Sequence, residues 1–444
     1  MRSYFSVIPR LISGQDTPRT FLEECLAIIA EKESGIGAFV AMNPEAARAA
    51  ADRASERWRA GQPLSLIDGM PIGVKDIMET ADMPTQQGSA LFDGWQTGRD
   101  AAAVAALREA GAVVVGKTVT TEFAATEARG TRNPWDFQRT PGGSSSGSAA
   151  AVGAGMVPAA LATQAIGSIL RPASYCGCYG YKPSVGAINR GGSYDNLSQS
   201  ASGVLAASLG EAWCVARAIS ARVGGDPGCD GLSGPPELPA ARRPRSIALL
   251  QTAGWARAST AREALMREIA RLEAAGMVVR EQQDDRGIAE LEDLIVDAMS
   301  LSRKINAWES RWPLNTYARD KEPGGLSRAM QDRLAEAEAM TLEQYQLLLA
   351  ERRRVREAYS RLAVKYDTCM SLAAPGAAPL GIESTGDPIF AVPASLLGVP
   401  ALSLPLLQDD GLPLGLQLLG FYNADAALFS AGRAIEDQLK PVSL

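Results

Sequence analysis

The chain contains no histidine. That absence excludes a Ser-His-Asp triad, a Cys-His pair, histidine-ligated zinc or haem, and an imidazole general base. Acid–base chemistry therefore falls to Lys, Asp, Glu, Tyr, Cys or Ser. Cysteine is scarce, with 6 in 444 residues (Cys25, Cys176, Cys178, Cys214, Cys229 and Cys369), and only Cys176 and Cys178 lie close together. A lone C-x-C pair is poor zinc spacing, so the expectation is free, mostly buried thiols, no metal and no cofactor. No apolar run is long enough to span a bilayer, and the N-terminal MRSYFSVIPRLISG lacks an apolar h-region. These features lead us to expect a soluble, cytoplasmic protein with no membrane partner. Charge is dispersed and sums to −6, which argues against a nucleic-acid surface and favours a small-molecule substrate.

What is present is a large α/β pattern. TPRTFLEECLAIIAEKES reads as a helix, with Thr17 as cap, Pro18 in the first turn, and Phe21, Leu22, Cys25, Ile28 and Ile29 on one face. Short apolar strands then alternate with amphipathic helices: strand 70–74, helix 101–111, strand 112–116, and later strand 246–251, helix 261–276, strand 277–281. Such alternation predicts one sheet covered on both faces by helices. Residues 221–245 are dense in Gly and Pro and read as a connector within or between domains. Residues 285–365 are helical and charged, either a solvated layer or an insertion that caps a site. Strands return at 399–407 and 412–420, followed by the helix DAALFSAGRAIEDQL.

The segment that carries chemistry is TPGGSSSGSAAAVGAGMVPAALATQAIGSILRPASYCG, residues 140–177. Its GGSSSGS is not a linker, because small apolar residues follow and lead into a core. It lacks the Walker lysine of a phosphate loop. Residues 143–147 match G-x-S-x-G around Ser145, but without histidine the corresponding triad cannot be completed.

A nucleophilic serine without imidazole needs another base, and an unprotonated lysine is the usual substitute. Lysine serves at neutral pH only where desolvation or a cationic neighbour lowers its pKa from about 10.4. Lys75 ends the apolar strand GMPIGVK, Lys117 ends VVVGK, and Lys182 is a third candidate. Composition does not choose among them.

Residues 65–215 resemble the core of the amidase signature family. The matching motifs are GVKD (73–76), GKTVTTEFA (116–124), RNPWD (132–136), TPGGSSSGSAAAVGAG (140–155) and GYKPSVG (180–186), with GVPALSLPL (398–406) and GLPLGLQLLG (411–420) outside it. The resemblance covers most of the chain except 285–365. It implies one amidase domain over 1–444, with a single large mixed β-sheet sandwiched between helices and a helical insertion at 285–365. It also implies a Ser-Ser-Lys triad: Lys75 as base, Ser144 as bridge after a cis Gly143–Ser144 peptide, and Ser168 as nucleophile. Backbone N–H groups of Ala165, Ile166, Gly167 and Ser168 would form the oxyanion hole. The expected roles of Ser145, Ser146 and Ser148 are supporting hydrogen bonds and helix capping.

The chain departs from the family in reading Ala165-Ile166-Gly167 where members read T-G-G. Isoleucine disfavours φ > 0 and fills space near the acyl group, so an altered pocket is expected. Arg171 sits at the offset where a malonamidase-like branch meets a substrate carboxylate, for which a guanidinium fork is suited. The resulting expectation is a cofactor-free hydrolase, monomer or homodimer, acting on a small-molecule amide or carbamate. Two alternatives are the amidase-like component of a tRNA-dependent amidotransferase (its A chain) and a non-catalytic amidase-like binding protein.

Overall fold

The computed structural model describes residues 1–125, 127–321 and 325–440. In chain order, α1 (Ile8–Ile12) and α2 (Pro18–Ile36) lead to β1 (Phe39–Met42), then α3 (Pro44–Arg59), β2 (Pro71–Lys75), α4 (Ala102–Glu109) and β3 (Val113–Thr118). The next stretch comprises α5 (Ser146–Gly153), β4 (Ala159–Gln164), α6 (Leu170–Cys176), β5 (Tyr179–Lys182), β6 (Ala201–Ala206) and α7 (Leu209–Val223). Beyond 221–245, which carries no regular element after α7, come β7 (Ser246–Leu249), α8 (Ser259–Ala274) and β8 (Val278–Arg280). The helical layer is α9 (Arg286–Ile295), α10 (Ala298–Asp320), α11 (Arg328–Ala339) and α12 (Leu342–Leu362). The chain closes with β9 (Thr368–Leu372), α13 (Val392–Leu397), β10 (Ala401–Asp409), β11 (Leu412–Leu419) and α14 (Asp425–Leu439).

All eleven strands join one sheet in the order β1-β3-β2-β4-β6-β5-β10-β11-β9-β7-β8. β3, β2 and β4 run parallel, as do β9, β7 and β8, while the strands between β4 and β9 are joined antiparallel. The sheet is therefore mixed, and it continues across the 221–245 connector. Both faces are covered by helices, with one large apolar cluster centred on residues such as Val74, Leu161 and Trp213, a second against α9, α12 and α13, and a third against α2, α3 and α5.

Local chemistry explains the elements nearest the reacting groups. Thr17 Oγ1 accepts from Thr20 N–H and Pro18 opens α2, as expected, and Phe21, Leu22, Cys25 and Ile29 are buried. The helix α5, SGSAAAVG, is buried over almost its whole length because its side chains are small. A Cβ at Gly147 would stand 2.2 Å from Ala38 O and 2.4 Å from Val119 N, so only glycine permits that approach. Helix α10 is interrupted at Trp312, where φ −96° and ψ 124° precede Pro313. The six cysteines are free, with Cys229 exposed and the other five buried. No helix among the described residues is long and apolar enough to cross a membrane.

Candidate active site

β2 and β4 are parallel neighbours, with Val74 opposite Leu161, so their carboxyl ends open onto the same edge of the sheet. Lys75 ends β2 with no exposed surface. Its Nζ lies 2.7 Å from Ser144 Oγ and 2.9 Å from Thr163 Oγ1, and no carboxylate pairs with it among the described residues. Burial draws the amine down to about 7, while the negative charge of Asp195 pulls the other way. Near neutral pH the unprotonated form is thus accessible, with two hydroxyl groups within hydrogen-bond reach of the nitrogen.

The rival lysines have other surroundings. Lys117 Nζ pairs with Asp76 Oδ1 at 3.1 Å and donates to Thr85 Oγ1 and Pro84 O. It is a buried cation with a buried counter-ion. Lys182 is also pulled down to about 7 by burial, but its Nζ donates to Pro183 O, and no serine hydroxyl is bonded to it among the described residues.

Ser144 is buried and follows a cis Gly143–Ser144 peptide. Its carbonyl accepts from Thr121 N–H, and the Gly143 carbonyl accepts from Arg171 Nη2 at 2.6 Å. Ser145, Ser146 and Ser148 donate to the carbonyls of Thr163, Val119 and Leu161, the supporting bonds anticipated for them. The capping expectation fails: Ser145 stands at the N-cap of α5 without a side-chain cap bond, because its hydroxyl is directed to β4.

Ser168 lies in the turn between β4 and α6, is 8% exposed, and borders a cavity of about 1000 Å³. The structure does not join it to Ser144 by a hydrogen bond among the described residues. It brings Lys75 to Ser144 directly, and β4 carries Ser168 to the same edge. The backbone N–H groups of Ala165, Ile166, Gly167 and Ser168 bond to no backbone or side-chain acceptor among the described residues.

Two residues that hold this turn were missed from sequence. Thr163 is the second partner of Lys75. Gln164 Oε1 accepts from Ile169 N–H at 2.9 Å and Leu170 N–H at 3.0 Å, while its Nε2 donates to Ser395 Oγ, which itself donates to Ile166 O. Both lie in the TQAIGS run, where hydrogen-bonding residues ahead of a turn were the only signal. Ile166 has a negative φ, so the anticipated backbone conflict does not arise; its side chain packs on the apolar cluster beneath α10 and α13 and borders the cavity. A Cβ on Gly167 would stand 2.7 Å from Pro388 Cβ, which explains the glycine there.

Arg171 is buried at the cavity wall. Its Nη1 donates to Gly386 O, and its Nη2 to Gly143 O and Thr385 Oγ1. Nε is buried without a partner. No carboxylate pairs with this guanidinium among the described residues, and burial lowers its pKa to about 10. The fork thus ties the Ser144 turn to the 385–386 loop.

The opposite wall of the cavity comes from the helical layer: Arg303, Asn306 and Glu309 of α10 and Met330 and Arg333 of α11. This layer is seated by Leu314, Leu326 and Met330 on Leu91 and Phe123, with Tyr317 stacked on Phe123 at 5.4 Å. Residues 322–324 of the segment lie outside the described residues. Among the described residues, no group of three or more His, Cys, Asp or Glu side chains is placed to hold a metal ion.

Comparison with known proteins agrees with this geometry. A family model described as Amidase matches residues 20–429. The glutamyl-tRNA(Gln) amidotransferase A chain of Anaeromyxobacter sp. (strain K) is 33% identical over 95% of this chain and 93% of its own. Its namesake in Chloroflexus aggregans is 34% identical over 96% and 94%. Among solved structures, a chain of an inhibitor-bound vestigial protein complex, described as revealing the evolutionary origins of an s-triazine catabolic enzyme, superposes with a TM-score of 0.85 at 28% identity, covering 99% of this chain and 100% of that one. The native peptide amidase of Stenotrophomonas maltophilia gives 0.80 at 26% identity, covering 97% and 95%. With a mixed sheet like theirs, a buried lysine against a serine at the sheet edge and the family model matched over nearly its whole length, the chain belongs to the amidase signature family.

Proposed function

We propose that this protein is a hydrolase that cleaves an amide-like C–N bond of a small molecule through an acyl-enzyme on Ser168. The observation that carries the reading is the buried, carboxylate-free amine of Lys75 at 2.7 Å from Ser144 Oγ. In this scheme neutral Lys75 accepts the Ser144 proton, Ser144 accepts that of Ser168, and Ser168 Oγ bonds to the acyl carbon. The N–H groups of residues 165–168 take the oxyanion charge. The proton returns along the same path to the leaving nitrogen, the C–N bond breaks, and water repeats the sequence to release the acid. Carbamates share this chemistry. Free buried thiols suit a reducing compartment, in keeping with a cytoplasmic location. A carboxylate on the substrate would meet Arg171, as in the malonamidase-like branch, by taking over the fork.

A second reading, ammonia delivery as the A chain of a tRNA-dependent amidotransferase, is favoured by the curated relatives that bear that name. A fluorophosphonate probe with peptide mapping tests the first. Labelling of Ser168 by the protein alone, with ammonia released from simple amides, supports the hydrolase. Ammonia release from glutamine only with added partner proteins would replace it with the second, and a folded chain that stays unlabelled would mark a non-catalytic binding protein.

A further inference from the structure

The cavity beside Ser168 is lined by polar side chains whose hydrogen-bonding groups lack partners among the described residues. Asp195 is 6% exposed, and neither carboxylate oxygen has a hydrogen-bond donor or a paired cation among the described residues. Asn306, 3% exposed on α10, has an orphan Oδ1. Gln87 and Ser193, also buried cavity residues, have an orphan Nε2 and Oγ respectively. The four come from three separate segments, the loop after β2, the loop before β6 and the helical layer, so no single local distortion explains them. Buried polar groups in folded proteins are almost always bonded; the buried exceptions Asn306 Oδ1, Gln87 Nε2 and Ser193 Oγ, beside an Asp195 carboxylate without a protein partner among the described residues, mark groups awaiting a ligand.

The orphan set also has a chemical sense. A carboxylate accepts only, and the carboxamide oxygen of Asn306 accepts as well. Arg333 of α11 also lines the cavity, and its Nη2 fixes this part of α10 by donating to the main-chain carbonyl of Asn306 at 2.9 Å. Resting on the hydrolase reading above, we propose that the cavity takes an amide whose non-scissile part carries N–H donors, a ureido, carbamoyl or amino group, received by Asp195 and Asn306. Gln87 supplies the complementary donor for an oxygen of the same group. An alkyl or aryl acyl group leaves all these sites unpaired and is disfavoured for that reason.

The test uses pairs of amides matched in size: ureidoacetamide against 4-methylpentanamide, and glycinamide against propanamide, with ammonia release as the readout. The expected kcat/KM ratio favours the N–H-bearing member of at least one pair by on the order of 100-fold. The first pair reads a neutral donor and the second an ammonium. Asp195→Asn should cut that ratio by about tenfold or more. A ratio near one in the wild type, or one unchanged in Asp195→Asn at an unaltered melting temperature, would overturn the proposal. Should that variant fail to fold, the wild-type ratio and Asn306→Leu decide instead. Titration calorimetry of the same pairs against Ser168→Ala reads the preference without turnover. An inert, unlabelled Ser168 combined with selective binding would therefore sink the hydrolase reading alone.

Discussion

Lys75 Nζ and Ser144 Oγ meet at 2.7 Å inside the sheet edge, and the amine is lowered by burial instead of being held charged by a counter-ion. An amine acts as a base only when unprotonated, so kcat/KM should fall on the acid side of a limb near pH 7 and level off above it. Lys75→Met should lower kcat/KM by about 10³-fold. Its melting temperature should hold or rise, because an apolar side chain replaces a desolvated amine. Rate against pH and thermal melts check both; an unchanged rate would assign the base to another residue.

Thr163 Oγ1 stabilises the ammonium form of Lys75 by accepting from it at 2.9 Å. Thr163→Val removes that stabilisation, so the acid limb should move to lower pH. The plateau should also fall by about tenfold, since the amine is no longer oriented. A limb that stays in place or moves up contradicts this role.

Gln164 holds the turn that carries Ser168 through two backbone N–H groups and Ser395. Gln164→Leu strands both buried donors and should destabilise the fold by about 2 kcal/mol or more, with a fall in kcat exceeding any change in KM. Gln164→Glu retains the acceptor and loses only the donor to Ser395, so its losses should be smaller. Denaturant melts and steady-state kinetics of the two variants give the comparison.

Gly167→Ala places a methyl 2.7 Å from Pro388 Cβ and 3.1 Å from Ala391 Cβ. The expected cost is about 1–3 kcal/mol, with fluorophosphonate labelling of Ser168 slowed as the turn shifts. Labelling and a melt at wild-type values would show that the 388–391 loop yields freely.

Arg171 ties Gly143 to Gly386 and Thr385. Arg171→Met should therefore slow acylation by amides with and without a carboxylate, by at least about tenfold each. A loss confined to carboxylated amides would assign the guanidinium to the substrate.

The helix and strand pattern was legible where apolar periodicity was strong. The expected strand at 70–74 is Pro71–Lys75, that at 412–420 is Leu412–Leu419, and the last helix is Asp425–Leu439. The middle of the sheet was not. β4 (AALATQ), β5 (YGYK) and β6 (ASGVLA) have few β-branched residues, and their strand character comes from burial between helices instead of local propensity. Lys75 emerged from the motif match, and geometry then separated it from Lys117 and Lys182 by their bonded partners. Thr163, Gln164, Asp195 and Asn306 escaped notice because a hydrogen-bond partner, or the lack of one, is a property of three-dimensional neighbours.

The cavity has one wall from the sheet edge that carries Ser168, and another from α10 and α11. The groups proposed to react thus lie on other stretches of chain than this wall, which contributes Asn306 to the proposed selectivity. Replacing residues 298–339 with the equivalent stretch of a relative should change which amides are accepted while the proton-transfer apparatus is inherited intact. Diversification by exchange of that one wall is the evolutionary route that such an arrangement leaves open.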